Sequence, residues 1–345
     1  MSQGANLEMT VMNALTNDVT IISPPANAPI TPETLINGLK ATDTDICYVP
    51  PHFVQEIASN PDYIDIVASR SKSLVYGAGK VSEAHADIMT SRLEFWGRFG
   101  ATEQGTTPSL RRSGPWDPTL YNYMMPHPDA GWDFRPYMSD RGETVYEAVI
   151  VRRTDPSHTQ PVFTLLPHLQ QFPTKDLFVA HPTIPGMYKW CGRADDTISL
   201  STAANVNPML METRISEHEL VSGVLMVGNG RPRPALLIEL YDARSSDERS
   251  DTIWDAVESV NQEYFVDHRV LRSHIVFTDE RGLPRSDKGI IQRGKAVQMY
   301  ESELRAIYEA SNSPTGVEPI TQDTKGKMEQ DENEKARKDS VVRME

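Results

Sequence analysis

The chain has 345 residues, 39% of them apolar and 24% charged, and a formal net charge of −14. That length can bury a sizeable core and predicts about two domains, while the acidic balance excludes the basic stripe of a nucleic-acid-binding surface. No apolar run approaches the ~18–20 residues of a membrane span, and two isolated cysteines, Cys47 and Cys191, make neither a disulfide framework nor a zinc ligand set.

Residues 1–20 lack a basic region followed by an apolar run, so no secretory signal is expected, and a cytoplasmic location follows. Val19-Thr20-Ile21-Ile22 is a short apolar run closed by the turn Ser23-Pro24-Pro25. Thr31 as cap and Pro32 in the first turn start a helix that runs to about Lys40. Ile46-Cys47-Tyr48-Val49 is a buried strand, ended by Pro50-Pro51. Phe53 and Ile57, then Ile64, Ile66 and Val67, lie on two helical faces separated by Asn60-Pro61. Ser73-Leu74-Val75-Tyr76 is a further strand, closed by Gly77-Ala78-Gly79, so strand and helix alternate and a mixed α/β layer is predicted. Residues 106–142, rich in Pro, Trp and Tyr, form a long irregular connection, and residues 144–151 alternate as a strand. Residues 221–227 and 235–240 pair through the turn Gly228-Asn229-Gly230-Arg231-Pro232. Ile253, Trp254, Val257, Val260, Asn261 and Tyr264 then share one helix face. The tail from residue 322, charged with both signs and nearly free of apolar residues, is expected to be disordered. No internal repeat is present.

Two stretches stand out. The first is Phe95-Trp96-Gly97-Arg98-Phe99-Gly100-Ala101-Thr102-Glu103-Gln104-Gly105; the second, further along, is Lys189-Trp190-Cys191-Gly192-Arg193-Ala194-Asp195-Asp196. Alone, each is a weak signal: the first reads as a surface turn, and Arg193 with Asp176 as a surface ion pair. In this order they resemble the Tyr-Gly-x-Thr-Glu and Gly-Arg-x-Asp-Asp motifs of the adenylate-forming (AMP-binding) superfamily, with Phe99 in the tyrosine position. Residues 75–82 resemble the family's Gly-Gly-Ala-Pro-Leu-Ser segment, with Lys80 where proline is common. Lys175-Asp176-Leu177 resembles its Gly-Asp-Leu segment. Residues 200–208 are similar to the Leu-Ser-Asn-Gly-Glu-Lys-Val-Asn-Pro loop of fungal adenylating reductases, and the likeness continues through Glu212, residues 227–232 and residues 283–289. The resemblance covers about residues 10–311.

An adenylating enzyme joins a carboxylate to the α-phosphate of ATP and expels pyrophosphate. It needs a magnesium ligand, donors to the phosphate, a clamp on the ribose and a cation near the reacting carboxylate. A hydroxyl can donate to phosphate, and a carboxylate can hold Mg²⁺ or accept from two hydroxyls. The resemblance therefore implies ATP or AMP and Mg²⁺, with no covalent cofactor. Gly77 and Ala78 would border the adenine, Thr102 would contact the α-phosphate and Glu103 would hold the metal. Asp176 would take the ribose hydroxyls, Arg193 a second ribose or phosphate contact, and Asp195 would be the hinge. Lys288 is the nearest candidate for the catalytic lysine, and Lys295 is the alternative.

The implied fold is α/β: a truncated large adenylation subdomain of mixed α/β type over residues 1–195, a small α+β C-terminal subdomain over 196–311, and a charged tail over 312–345. Two departures bear on activity. Ala203 replaces the loop glycine, at a cost of roughly 1 kcal/mol if that position is left-handed, which touches the thiol-attack half-reaction. Nothing in residues 1–75 resembles the family's Ser/Thr/Gly-rich phosphate loop, whose backbone N–H groups would cradle the β- and γ-phosphates. The N-terminal half of the domain is therefore expected to be missing, nucleotide use to be weak or lost, and an apolar face or sheet edge to be uncovered. The function expected is that of a truncated peptide-synthetase-like adenylate-forming protein of a fungal secondary-metabolite pathway, ancestrally activating a small carboxylic acid. The alternatives are an active ligase completed by a partner chain and a non-catalytic protein that docks a carrier protein or another pathway enzyme. Neither nucleic acid nor membrane is an expected partner.

Overall fold

The computed structural model describes residues 15, 18–25, 27–77, 79–140, 142–154, 160–241, 247–286 and 290–311. Ala78, Lys288 and the tail over 312–345 lie outside the described residues, and so do the expectations attached to them.

The first layer is a parallel sheet backed by helices. Its order of elements is α1 (Pro32–Ala41), β1 (Thr44–Val49), α2 (Pro51–Ser59), α3 (Pro61–Arg70), β2 (Ser71–Gly77), α4 (Glu83–Thr90) and β3 (Glu94–Arg98). Proline opens α1, α2 and α3, where its missing N–H costs nothing. Thr31 caps α1 through a 3.2 Å bond from the Thr34 N–H, and the Asn60 side chain caps α3. The strands lie in the order β1-β2-β3, all parallel. Cys47, Val49, Leu74, Tyr76 and Phe95 join Ile36, Val54, Ile57, Val67 and Met89 in one buried cluster. Strand β1 is one of the two outer strands of this sheet, and on it Ile46 and Tyr48 remain 48% and 45% exposed.

The segment 106–142 departs from the expected irregular connection. It contains β6 (Tyr123–Met124) and a nine-residue strand, β7 (Trp132–Asp140), in addition to two short 3-10 turns. Pro136 argues against a central strand, but β7 is the outer strand of its sheet and the ladder shifts register between Pro136 and Met138. An edge with a bulge is where a sheet tolerates proline. β8 (Glu143–Val151), β9 (Gln171–Ala180) and β10 (Tyr188–Arg193) complete an antiparallel sheet in the order β6-β10-β9-β8-β7, with α5 (Pro161–Leu165) between β8 and β9. Phe178 is fully buried in it, and Phe134 stacks on Tyr188 at 3.5 Å.

Past residue 195 come β11 (Ile198–Ser199), β12 (Asn205–Val206), α6 (Met209–Ser216), β13 (Val221–Val227), β14 (Ala235–Leu240), α7 (Asp247–Asn261), β15 (Ile275–Phe277), α8 (Arg293–Met299) and α9 (Glu301–Ser311). β13 and β14 are the antiparallel pair expected, and β15 adds in parallel to β14. One face of this sheet packs Met226, Leu236 and Ile238 against Met211, Ile253 and Val257. The other packs Leu225 and Leu237 against Ala296, Tyr300 and Leu304. Tyr264 is buried with the α7 face although it lies beyond the helix end. Glu212 on α6 accepts from Arg293 Nη2 at 2.7 Å and from the Met226 N–H at 2.8 Å, and Arg293 Nε reaches Asp196 at 3.2 Å. These clusters draw their residues from beyond residue 195, and the clusters of the two N-terminal sheets draw theirs from before it. Among the contacts that cross are Lys80 Nζ to Thr213 Oγ1 at 3.2 Å, Glu83 with Arg214 at 3.1 Å, and Asn207 Nδ2 to the Cys191 carbonyl at 2.8 Å.

Candidate active site

The Thr-Glu pair sits on a small hairpin. β4 (Gly100–Ala101) and β5 (Gly105–Thr106) are antiparallel, and Thr102, Glu103 and Gln104 form the turn between them. The Gln104 N–H closes it on the Ala101 carbonyl at 3.3 Å, and Gly105 follows at φ 69°, a conformation costly for other residues. No helix begins here, so Thr102 is not a cap. Thr102 and Glu103 are exposed, whereas Gln104 is buried. Just before the hairpin, Phe99 packs edge-on against Phe178 and Trp132. Gly77 ends β2 opposite Arg98, two residues from the hairpin.

Asp176 owes its position to two irregularities in the sheet. Between the pairs Glu147–Leu177 and Val149–Pro173, three residues of β9 face the single residue Ala148. Lys175, in the middle of the bulge, has φ 61°. Thr174 Oγ1 donates to the Ala148 carbonyl at 2.8 Å and accepts from the Asp176 N–H at 3.1 Å, which satisfies groups the ladder has released. On the other side, β10 carries Cys191 as an extra residue between the partners of Phe178 and Leu177, and Gly192 takes φ 135° there. Bulges of this kind re-aim side chains, and they are common beside active sites. The result places Asp176 directly opposite Arg193.

The two side chains form an ion pair, Arg193 Nη1 to Asp176 Oδ1 at 3.3 Å, and Trp190 Nε1 donates to the same oxygen at 3.1 Å. Both donors converge on Oδ1, which leaves Oδ2 with acceptor capacity for hydroxyls. Arg193 Nη2 also lies 3.5 Å from Asp195 Oδ2, and Lys175 Nζ holds Asp195 Oδ1 at 3.0 Å. Burial pushes the Asp176 carboxyl above the usual carboxylate range, partly offset by Arg193 and the Trp190 N–H, while the negative charge of Glu103 adds to the rise. Asp195 is held below the usual range, chiefly by its bond from Lys175.

The structure thus brings Asp176, Arg193 and Asp195 into one bonded cluster, and Glu103 makes no bond to it. Lys295 is exposed on α8 and makes none of these contacts; it is Arg293 of that helix that reaches Asp196. Trp190, Lys175 and Thr174 carry the cluster and were not assigned from sequence. Trp190 and Lys175 lie inside the quoted motifs, so the signal was position within a motif, not residue type. The donor set fits a nucleotide: a carboxylate with open acceptor capacity for ribose, and one exposed carboxylate for Mg²⁺, an ion commonly held by one or two carboxylates plus substrate phosphates. No group of three His, Cys, Asp or Glu side chains suited to a metal cage occurs among the described residues.

Two of the three non-glycine residues with positive φ among the described residues, Lys175 and Ala203, stand where the related family motifs have glycine. Ala203, at φ 65°, closes the turn between β11 and β12. Its left-handed conformation costs about 1–2 kcal/mol, while glycine would add unfolded-state entropy of roughly 0.5–1 kcal/mol. Ala203→Gly is therefore expected to stabilise by up to about 1 kcal/mol. A urea midpoint below that of the parent would contradict the strain.

Residues 195–312 match the AMP-binding enzyme C-terminal domain family. The chain is 28% identical to the isocyanide synthase–NRPS hybrid crmA of Aspergillus fumigatus, over 92% of its own length and 19% of that protein. It is 27% identical to a carboxylic acid reductase of Neurospora crassa, over 85% of its length and 28% of the reductase. With the adenylate-forming reductase Nps11 of Serpula lacrymans the figures are 28%, 85% and 27%. The chain thus spans about a fifth to just over a quarter of the length of these three relatives. Among solved structures, an ATP-bound RpMatB-BxBclM chimera aligns with TM-score 0.58 at 14% identity, over 80% of this chain and 54% of that one. The amide bond synthetase McbA of Marinactinospora thermotolerans aligns with TM-score 0.56 at 16% identity, over 79% and 55%. At these identities the structural likeness shows the fold, which is that of adenylate-forming enzymes. No helix among the described residues is long and apolar enough to cross a membrane. Residues 195–312 thus carry the AMP-binding enzyme C-terminal domain, and the chain is similar over most of its length to fungal adenylate-forming reductases and NRPS-like proteins.

Proposed function

We propose that the chain is the nucleotide-binding part of a carboxylate-activating module in a fungal secondary-metabolite pathway. The observation that carries this is the paired bulge, which buries Asp176 opposite Arg193 and leaves its second carboxylate oxygen with open acceptor capacity. In this reading Asp176 takes the ribose hydroxyls, Arg193 a ribose or phosphate oxygen, Thr102 the α-phosphate and Glu103 the Mg²⁺. Gly77 borders the base, and Asp195 is the hinge between a unit over residues 1–195 and one over 196–311. The curated relatives include a carboxylic acid reductase and an NRPS hybrid, which supports a small carboxylic acid as substrate and a carrier protein as partner. Calorimetry with AMP tests the reading; binding in the micromolar to millimolar range is expected, and no heat at millimolar AMP would end it.

A second reading is favoured by the open edge of β1, where Ile46 and Tyr48 are exposed. The aligned solved structures extend well beyond the part this chain matches. Further sequence, in the same polypeptide or in a partner, would cover that edge and bring the phosphate cradle that pyrophosphate departure needs. ATP–pyrophosphate exchange by this chain with pathway enzymes, but not alone, is the result expected of it. Capture of a carrier protein without exchange under either condition would point to a docking role.

A further inference from the structure

We propose that the buried amide of Gln104 recognises a polar, hydrogen-bonding substituent on the carboxylic acid. The inference rests on the adenylate-forming reading above, and it names the class of acid. Gln104 is only 6% exposed, yet neither its amide oxygen nor its amide nitrogen has a hydrogen-bond partner among the described residues. Thr107, on the same hairpin and also 6% exposed, has a buried hydroxyl in the same condition. Folded proteins seldom tolerate this, because each buried unpaired group costs about 1–3 kcal/mol. The chain can satisfy such an amide where it serves structure. Gln160 donates to the Ala130 and Val151 carbonyls at 3.0 and 2.9 Å and accepts from the Arg153 N–H at 2.8 Å. Gln104 instead carries an unused donor and an unused acceptor, one residue after the carboxylate assigned to Mg²⁺.

Chemistry narrows the ligand. An amide holds a donor and an acceptor side by side, and its complement presents the converse pair: a carboxamide, a carboxyl, or a hydroxyl that can play either role. An alkyl or plain aryl acid offers neither and would seal the orphaned groups in apolar surroundings. Sites built to hydrogen-bond a substrate group reject the analogue that lacks it, because their own polar atoms are then left unpaired. In this reading the exposed Thr102 and Glu103 serve the nucleotide, and the buried Gln104 is assigned to the acyl group. The acids favoured are hydroxy- or carbamoyl-substituted ones.

The test uses the full chain and Gln104→Leu, with Gln104→Met as a second variant should the first fail to fold. The probes are AMP and three 5′-O-(N-acylsulfamoyl)adenosines, whose acyl groups are benzoyl, 4-hydroxybenzoyl and 4-carbamoylbenzoyl. The parent is expected to bind at least one polar-substituted probe about tenfold or more tightly than the benzoyl one, and the variants to lose that preference, a difference of one good hydrogen bond or more. Without ligand the variants are expected to melt at or above the parent temperature, since an unpaired amide has been removed. A variant that melts several degrees lower makes Gln104 a structural residue and overturns the proposal. So does equal binding of all three probes by the parent, or a loss of AMP affinity in the variants as large as the loss of acyl preference, which would assign the amide to the base. AMP binding without acyl preference defeats this inference alone; absence of AMP binding defeats it together with the reading beneath it.

Discussion

Asp176→Ala is expected to weaken AMP binding by about 100-fold or more. Hydrogen bonds to a charged partner contribute roughly 1.5–3 kcal/mol each, and two ribose hydroxyls on one carboxylate exceed the 1.4 kcal/mol that corresponds to a tenfold change. Stability should change far less. Arg193 loses its cross-strand partner but is 41% exposed and keeps Asp195, so solvent and a second carboxylate take over. Calorimetry beside urea unfolding separates the two effects, and a variant that binds AMP like the parent would remove Asp176 from the site. Asp176→Asn adds a pH signature. Burial raises the folded pKa of Asp176 above its unfolded value of 3.8, so the folded state holds that proton more tightly. The associated stability is fully present below the unfolded pKa and is lost as pH rises through the raised one. Asparagine has no charge to desolvate. Its stability relative to the parent should therefore climb with pH through that interval and then level off. A parent that gains on the asparagine variant as pH rises would show that Arg193 and Trp190 outweigh burial.

The second large effect is autonomy. Residues 196–311, expressed alone, are expected to fold and to melt cooperatively. Both faces of the β13-β14-β15 sheet find their buried partners within that range. The Glu212–Arg293–Asp196 network lies within it too. Among the links that would be cut, Glu83 with Arg214 and Lys80 with Thr213 are exposed contacts, worth up to about 1 kcal/mol each. That loss is small against the ~5–15 kcal/mol of an ordinary domain. A sigmoidal thermal transition, with near-ultraviolet dichroism from Trp254 and the tyrosines, is the outcome expected. A fragment without tertiary signal would show that the core past residue 195 needs the N-terminal sheets, and would move the proposed boundary.

Much of this protein could be read from its residues in order. Thr31-Pro32 and Asn60-Pro61 announce helix starts because caps and N-terminal prolines act over one turn of chain. Residues 221–227 and 235–240 announce a strand pair because two apolar runs flank a short glycine turn. The family motifs were legible for the same reason, since Thr102-Glu103, Asp176 and Gly192-Arg193 each lie within a few residues. Other features were not legible, because they depend on what the rest of the chain brings alongside. Pro136 counts against a strand by any local rule, and β7 exists because β8 supplies a ladder on one side while the other side stays open. Lys175 looks like an ordinary surface lysine, yet it occupies a left-handed position that the mismatch of β8 and β9 creates. Gln104 looks like a solvated turn residue, and only packing buries it. The sequence alone therefore determined the capped helices, the β13–β14 pair, the family resemblance and the chemical types of the candidate site residues. Tertiary structure alone decided that Asp176 faces Arg193 and that Gln104 is enclosed, because strand register and burial are set by pairing between distant segments and not by the propensity of any one of them.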